Sequence, residues 1–339
     1  MMVMDLQTLL LNLFATALPV VLIVILVRAR RQPLWAEAYR RLRRNRLAMA
    51  ALVLIGVYGS IAVLDSVHWK NNRTADPHSI LDRMTAWVPV ERTYSAPLST
   101  VTVEPKPHRT IVRHLLGTDA NGKDVLVRTL KGCRTAILVG VVPMLIIMPV
   151  GILLGMLAGY YGKRVDDAVQ YTYTVFTSVP DILLLISLVL VLGHGILQVC
   201  LALGITGWVG LCRLVRGETL KHRDREYVRA ARALGVSDLR ILLRHILPNL
   251  LPVVIISVVL GCSGLVLSET ILTYLGVGVP PEMGSWGNMI DAARLELARE
   301  PAIWWQLTAA SSALFLLVLS FNLLGDALRD AVDPRLRSS

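Results

Sequence analysis

Long uncharged apolar runs are the feature that most limits what this chain can fold into. The stretch from Thr135 to Gly162 contains no charged residue, and a bilayer span needs about 20 predominantly apolar residues. Because backbone polar groups find no water in hydrocarbon, such a run crosses a membrane as a helix. Similar runs recur along the chain, so the sequence predicts an all-α integral membrane protein with about seven spans. They are 8–27, 47–64, 135–160, 168–192, 196–212, 247–275 and 303–325.

The net charge of +11 would suit nucleic acid, but the composition does not. Basic residues cluster beside the apolar runs, aromatic residues make up only 6% of the chain, and no nucleic-acid-binding motif is present. We therefore interpret the charge as orientation in a bilayer and predict no nucleic-acid partner. The four cysteines form no Cys-x-x-Cys pair and indicate neither a disulfide framework nor a metal site.

Lys and Arg residues set the predicted orientation. Residues 28–46 hold eight Arg and one Glu, so this segment is expected in the cytoplasm. The N-terminus is then outside, and the C-terminus is cytoplasmic. The predicted organisation is an added N-terminal anchor span at 1–30, a basic cytoplasmic segment with the first core span at 31–64, an external segment at 65–134, core spans at 135–325 with a cytoplasmic loop at 213–246, and a cytoplasmic tail at 326–339.

A near match to a phosphate-binding loop is rejected. Residues 117–124 read Gly-Thr-Asp-Ala-Asn-Gly-Lys-Asp, but that loop needs Ser or Thr after the Lys to coordinate magnesium. Asp124 lacks this hydroxyl and would repel phosphate, and the segment is expected outside the cell. No Ser/His/Asp set, carboxylate pair or metal cluster stands at a convincing spacing. The chain is therefore not expected to be an enzyme or to hydrolyse ATP itself.

Several residues near or within the apolar runs are candidates for helix packing or for the translocation path. Gly151, Gly155 and Gly159 recur every four residues, which puts them on one helical face and lets another helix approach closely. Asp181 and Glu269 lie near or within spans, where acids are costly. For both acids two interpretations stay open: they line a translocation path, or they pair within the structure.

The sharpest signal is the loop Arg213–His245, with nine Lys/Arg against four Asp/Glu. Its sequence predicts a helix over Tyr227–Leu234 that ends at Gly235. Ser237 is expected to cap a second helix starting near Asp238, and a Pro opens the next span. A compact protrusion of this kind would dock a partner, whereas the alternative is an ordinary basic cytoplasmic loop.

The same loop resembles the signature of permease subunits of ABC importers, which reads Glu-Ala-Ala, three residues, Gly, about nine residues, then Ile-x-Leu-Pro. Arg229 stands where the Glu is expected, Glu226 lies one helical turn earlier, and the Ile is displaced by one to Ile246. Small side chains at the two alanines would let a partner approach the backbone. The matching residues are Ala230, Ala231, Gly235, Leu247 and Pro248. Further motifs at 116–125, 159–162, 245–249, 274–278, 285–287 and 321–334 resemble the second permease of the oligopeptide/dipeptide/nickel importer group.

This resemblance implies a type I ABC importer transmembrane domain in a bacterial inner membrane, with a six-span core plus the added span. It implies a homologous permease, two ATPase subunits that hold ATP and Mg, an external substrate-binding protein, surrounding lipid, and no cofactor on this chain. Peptides are the expected solute, and nickel, opines and glutathione-like molecules stay open. The residues implied in ATPase coupling are Glu226, Tyr227, Ala230, Ala231, Gly235, Ser237 and Pro248.

Two other function classes are weighed against this interpretation. An ATPase-independent channel or secondary transporter would need acids along a pore, and Asp181 and Glu269 are few. A membrane enzyme subunit would need a catalytic constellation, and the sequence offers none. Neither class explains the loop signature.

Overall fold

A computed structural model describes residues 40–69, 78–103 and 107–332 of the chain. Apart from the short antiparallel pair β1 (His68–Trp69) and β2 (His78–Ser79), its regular elements are helical. In chain order the helices are α1 (Arg46–Ser66), α2 (Ile80–Met84), α3 (Val125–Val141), α4 (Met144–Tyr161), α5 (Lys163–Thr177), α6 (Asp181–Leu192), α7 (Ile196–Arg223), α8 (Glu226–Ala233), α9 (Asp238–Arg240), α10 (Leu247–Tyr274), α11 (Trp286–Arg294) and α12 (Trp305–Val332). A π-helical turn (Ile241–Ile246) joins α9 to α10, and a 3₁₀ turn (Glu296–Ala298) follows α11.

The predicted all-α membrane fold is confirmed. Among the described residues, five helical segments are long and apolar enough to cross a bilayer, and a sixth results if the bent pair α5–α6 counts as one span. The predicted span at 8–27 lies outside the described residues. The five segments are Arg46–Ser66, Val125–Tyr161, Ile196–Arg223, Asp238–Tyr274 and Trp305–Ala331.

The span predicted at 168–192 is not one straight helix. Helix α5 ends at Thr177, α6 starts at Asp181, and their axes differ by 84°. Pro180 explains the break, because proline has no N–H to donate and disfavours helical backbone in the residue before it. The apolar composition continues across this point, which is why hydropathy alone does not reveal it.

The described residues fall into two compact units. The first takes its residues from Met1–Leu138 and Val266–Leu324, and the second from Val139–Leu265 and Gly325–Ser339. In the first unit the buried Trp286 donates its indole N–H to the Thr129 carbonyl at 2.9 Å. The second unit is built on the close pair α4 and α7, beside which α5 and α6 pack.

The loop that mimics a phosphate-binding motif is a structural element of the first unit. The Asp119 carboxylate is buried and accepts hydrogen bonds from the amides of Asn121 and Lys123, each at 2.9 Å. Arg128 donates to its second oxygen. These two amides therefore donate to the loop's own carboxylate and not to a phosphate.

Candidate functional site

The loop signature folds into a protruding element of the second unit. We name residues 226–240, which comprise α8, the following turn and α9, the α8–α9 element. Helix α8 ends in a left-handed residue, Gly235, with φ +76°. Its N–H donates to the Arg232 carbonyl at 3.0 Å, and the Val236 N–H donates to the Ala231 carbonyl at 3.1 Å. This pair of bonds is a Schellman motif, which satisfies carbonyls that the helix end leaves open.

One side of the element packs on its own subunit, and the other is exposed. Val228 and Ala231 are buried, whereas Ala230 is exposed and Leu234 is 84% exposed to solvent. The expectation that both alanines face a partner is therefore wrong for Ala231, because helical geometry turns adjacent residues to different faces. Exposed apolar side chains beside basic ones form a surface suited to a protein partner.

Glu226 and Tyr227 begin α8. Glu226 is exposed, and as an acid in the first turn it suits the positive end of the helix dipole. The Tyr227 hydroxyl lies 2.7 Å from His222 Nδ1 at the end of α7. Burial raises the pKa of Tyr227, while Arg225 and a hydrogen bond with Asn249 act in the opposite direction.

Ser237 occupies the N-cap of α9, but its side chain does not cap. None of the first-turn amides, all within the described residues, donates to Ser237 Oγ. The predicted side-chain cap is therefore wrong, although the position of the helix start is correct. The Ile241 N–H donates instead to the Ser237 carbonyl at 2.9 Å.

Pro248 lies in the first turn of α10, where the sequence predicts the start of the next span, but the helical backbone does not begin there. One helical segment runs from Asp238 to Tyr274 and contains it. A proline ring clashes with the carbonyl four residues earlier, and the wider π-turn just before Pro248 relieves this clash by bonding Leu247 N–H to the Leu242 carbonyl. Asn249, which the sequence analysis did not select, adds a side-chain bond to the His245 carbonyl at 2.7 Å.

Small residues of α4 allow α7 to lie close to it. A Cβ atom built on Gly155 would lie 2.7 Å from the Cys212 carbonyl oxygen, and one on Gly159 would lie 2.7 Å from the Arg216 carbonyl oxygen. A Cβ on Gly151 would lie 3.1 Å from the Leu211 side chain. A larger residue at Gly155 or Gly159 would therefore push the two backbones apart.

An ion pair that the sequence did not reveal joins α5 to the same pair of helices. The Arg216 guanidinium binds both carboxylate oxygens of Asp166, with Nη2 to Oδ2 at 2.7 Å. Both side chains are partly buried. Two parallel N–H···O bonds fix the relative angle of the side chains.

Glu269 and Asp181 have different environments. Glu269 is 2% exposed in the first unit, and one of its carboxylate oxygens accepts hydrogen bonds from Thr273 and Ser285, each at 2.8 Å. These bonds agree with pairing within the structure, and a role of Glu269 in a path stays a prediction. Asp181 is exposed at the first residue of α6, and its role in a path stays a prediction.

Comparison with known proteins identifies the family. Residues 151–338 match the family described as binding-protein-dependent transport system inner membrane component, and residues 33–77 match the N-terminal TM domain of oligopeptide transport permease C. The oligopeptide transport system permease protein OppC of Bacillus subtilis is 31% identical over 304 residues, covering 90% of each chain. OppC of Haemophilus influenzae is 34% identical over 89% of each chain. The glutathione transport system permease protein GsiD of Pectobacterium atrosepticum is 40% identical over 66% of this chain and 74% of its own.

Among solved structures, an inward-facing form of the MetNI methionine ABC transporter matches 62% of this chain and 96% of the matched chain, with 20% identity and a TM-score of 0.48. The family assignment depends on the sequence matches, which span most of the chain. The chain belongs to the binding-protein-dependent inner-membrane permeases, as a permease subunit of the oligopeptide/dipeptide/nickel group of ABC importers.

Proposed function

We propose that this chain is one of two homologous permease subunits of an ATP-driven importer of peptides, and that it forms half of the translocation path. The observation that carries the proposal is the identity of 31% along 90% of both chains with an oligopeptide permease. The protruding α8–α9 element supports it, because a permease driven by separate ATPase subunits needs an exposed contact for them.

In this proposal the α8–α9 element lies in the cytoplasm and binds one ATPase subunit. Leu234 and Leu239 offer exposed apolar surface, and Arg229 and Arg240 add positive charge. Basic residues at the rim of an interface mainly steer association, here toward an acidic groove. ATP and Mg bind to the two ATPase subunits, and this chain supplies no nucleotide site. The N-terminus is then outside, and the C-terminus is cytoplasmic in a bacterial inner membrane.

The first unit would bind the external substrate-binding protein. It has an open cleft of about 980 Å³ near the loops that follow α2 and α10. Both charged and apolar residues line the cleft, as expected for an interface that forms and separates in each cycle. The lining includes Ile80, Asp82, Val90, Lys123, Lys131 and Glu282.

Transport would proceed by alternating access, in which closure of the ATPases moves the spans about a central cavity. The broken pair α5–α6 suits a lining element, because discontinuous helices in transporters mark solute paths. Asp181 is exposed at this break and would face the path. Nickel, opines and glutathione-like molecules remain alternative solutes that the following experiment tests.

The test is purification and reconstitution of the complex with the proteins of neighbouring genes. We expect a permease pair with two ATPase copies, and uptake of a labelled tripeptide into proteoliposomes that needs ATP and the binding protein. Uptake of nickel or an opine but not of peptides would change the solute. Uptake with no ATPase attached would overturn the proposal in favour of a channel or secondary transporter.

A further inference from the structure

One hydroxyl joins both sides of the α8–α9 element to the end of a span. The Tyr160 hydroxyl, at the end of α4, donates a hydrogen bond to Asp238 Oδ1 at 2.5 Å. It accepts one from Arg232 Nη2 at 3.2 Å, and the Arg232 guanidinium lies 5.4 Å from the centre of the Tyr160 ring. Arg232 is in the last turn of α8, and Asp238 is the first residue of α9. Through its hydroxyl, Tyr160 therefore links the two helices on either side of the Gly235 turn.

The backbone that carries Tyr160 is firmly placed. Its neighbour Gly159 lies so close to α7 that an added Cβ would be 2.7 Å from the Arg216 carbonyl oxygen. Arg223 Nη1 donates to the Gly159 carbonyl at 3.3 Å. Tyr160 itself is 5% exposed. Because the ring cannot move far in this packing, its hydroxyl is a fixed point for the turn.

Apart from the two backbone hydrogen bonds of its Schellman motif, the turn has little other support. No heavy atom of the described chain lies within 4 Å of a Cβ built on Gly235, and the Ser237 side chain makes no cap with the described first-turn amides. The buried apolar contacts of Val228 and Ala231 hold α8 but carry no directional preference. A hydroxyl that donates to a carboxylate and accepts from a guanidinium has one favoured orientation, and bonds to charged groups are stronger than neutral ones.

We propose that Tyr160 is a positioning residue for energy coupling: it fixes the angle of the α8–α9 element to the α4–α7 pair, so that movement of the element moves the spans. The inference rests on the proposed role of this element as the ATPase contact. It assigns to the first tyrosine of Gly159-Tyr-Tyr-Gly162 a function in transmission. The second tyrosine packs its ring edge-on against the first at 5.2 Å, and its hydroxyl has no part in this function.

The experiment compares Tyr160→Phe with Tyr161→Phe in the complete transporter in proteoliposomes. Tyr160→Phe keeps the ring and its contact with Arg232 but removes both hydroxyl bonds. Tyr161 is the matched control, because its side chain is exposed and its hydroxyl has no hydrogen bond within the described part of the chain. The readouts are ATPase copies bound, basal ATP hydrolysis, and labelled tripeptide taken up per ATP hydrolysed.

We expect Tyr160→Phe to retain both ATPase copies and basal hydrolysis while uptake per ATP falls about tenfold, a change within the range that loss of hydrogen bonds to charged groups can produce. Tyr161→Phe should match the wild type. Asp238→Ala should lower the ratio too, and the double variant Tyr160→Phe/Asp238→Ala should be no worse than the stronger single variant, because both changes remove the same bond.

Wild-type uptake per ATP in Tyr160→Phe, or effects of Tyr160→Phe and Asp238→Ala that multiply, would overturn the positioning role. Loss of ATPase binding in Tyr160→Phe would also overturn it, because the tyrosine would then act in assembly. Failure of the proposed function has a different signature, in which the wild-type complex binds no ATPase or takes up no peptide.

Discussion

The same three residues, Leu-Gly-Val, end a helix at two places in this protein, and the chain that follows is exposed after the first and buried after the second. Leu234–Val236 ends α8 and Leu275–Val277 ends α10, with glycine φ values of +76° and +79°. In each motif the valine N–H bonds to the carbonyl five residues earlier, at 3.1 Å in the first and 3.0 Å in the second. The backbone cap is thus the same device at both ends.

After the cap the two chains diverge. Beyond α10, Val279 is buried and donates its N–H to Thr273 Oγ1 at 3.1 Å, and Thr273 in turn donates to the buried Glu269. Beyond α8, Ser237 is exposed, and the chain is held by the bond from Tyr160 to Asp238. A cap is a local property of sequence, whereas its surroundings come from distant residues. The buried end is expected to govern stability, and the exposed end to govern transmission.

The largest expected effect tests the buried end. Glu269→Ala removes the acceptor of the Thr273 and Ser285 hydroxyls inside a closed packing, so the free energy of unfolding should fall by about 2–4 kcal/mol. Unfolding of the purified chain in mixed micelles, followed by tryptophan fluorescence, measures the change. The control is Glu282→Ala, an exposed acid in the following loop, which should stay within about 0.5 kcal/mol of wild type. Equal losses in the two variants would contradict the assignment of a buried network.

This contrast also shows which parts of the structure the sequence could predict. The core spans and the end of α8 follow from apolar run length and from Gly235, both of which are local signals. The hydrogen bond that Ser285 donates to Glu269 could not be predicted, because the two residues are 16 positions apart. The bond between Tyr160 and Asp238 joins residues 78 positions apart. Only tertiary packing brings such partners together.

Proline positions show a second limit of sequence reasoning. Pro180 breaks a span and Pro248 does not, although both lie near apolar runs. Tolerance depends on whether the preceding backbone can widen, and the π-turn before Pro248 does so. Hydropathy does not distinguish these two outcomes, since apolar residues lie next to both prolines.

The next effect in size separates the two glycines. A β-branched residue with positive φ costs about 1–2 kcal/mol, so Gly276→Val and Gly235→Val should strain their caps equally. Gly276→Val should lower the unfolding midpoint of the chain. Gly235→Val should lower that midpoint less and leave the amount in the membrane unchanged, because the exposed chain after Gly235 can shift to relieve the strain. Uptake of labelled tripeptide should fall about tenfold, since a shift worth 1.4 kcal/mol changes an equilibrium tenfold.

Immunoblots of membranes serve as the control for both glycine variants, because they separate lost protein from lost activity. Normal uptake by Gly235→Val at normal expression would remove the coupling role from this turn. A lower unfolding midpoint in Gly235→Val alone would reverse the comparison between the two ends.

The smallest effect comes from two N-cap serines that look alike in the sequence. Ser285 caps α11 by accepting the Gly287 N–H at 3.1 Å and is buried with its hydroxyl donated to Glu269, so Ser285→Ala should cost about 1–2 kcal/mol. Ser237 starts α9 with its side chain exposed and bonded to none of the described first-turn amides. Ser237→Ala should therefore cost less than about 0.5 kcal/mol in the same unfolding assay. If Ser237→Ala instead lowered the free energy of unfolding by about 1 kcal/mol, as the loss of an N-cap does, the Ser237 hydroxyl would cap α9 in the assayed protein. The turn would then have a second directional support beside Tyr160.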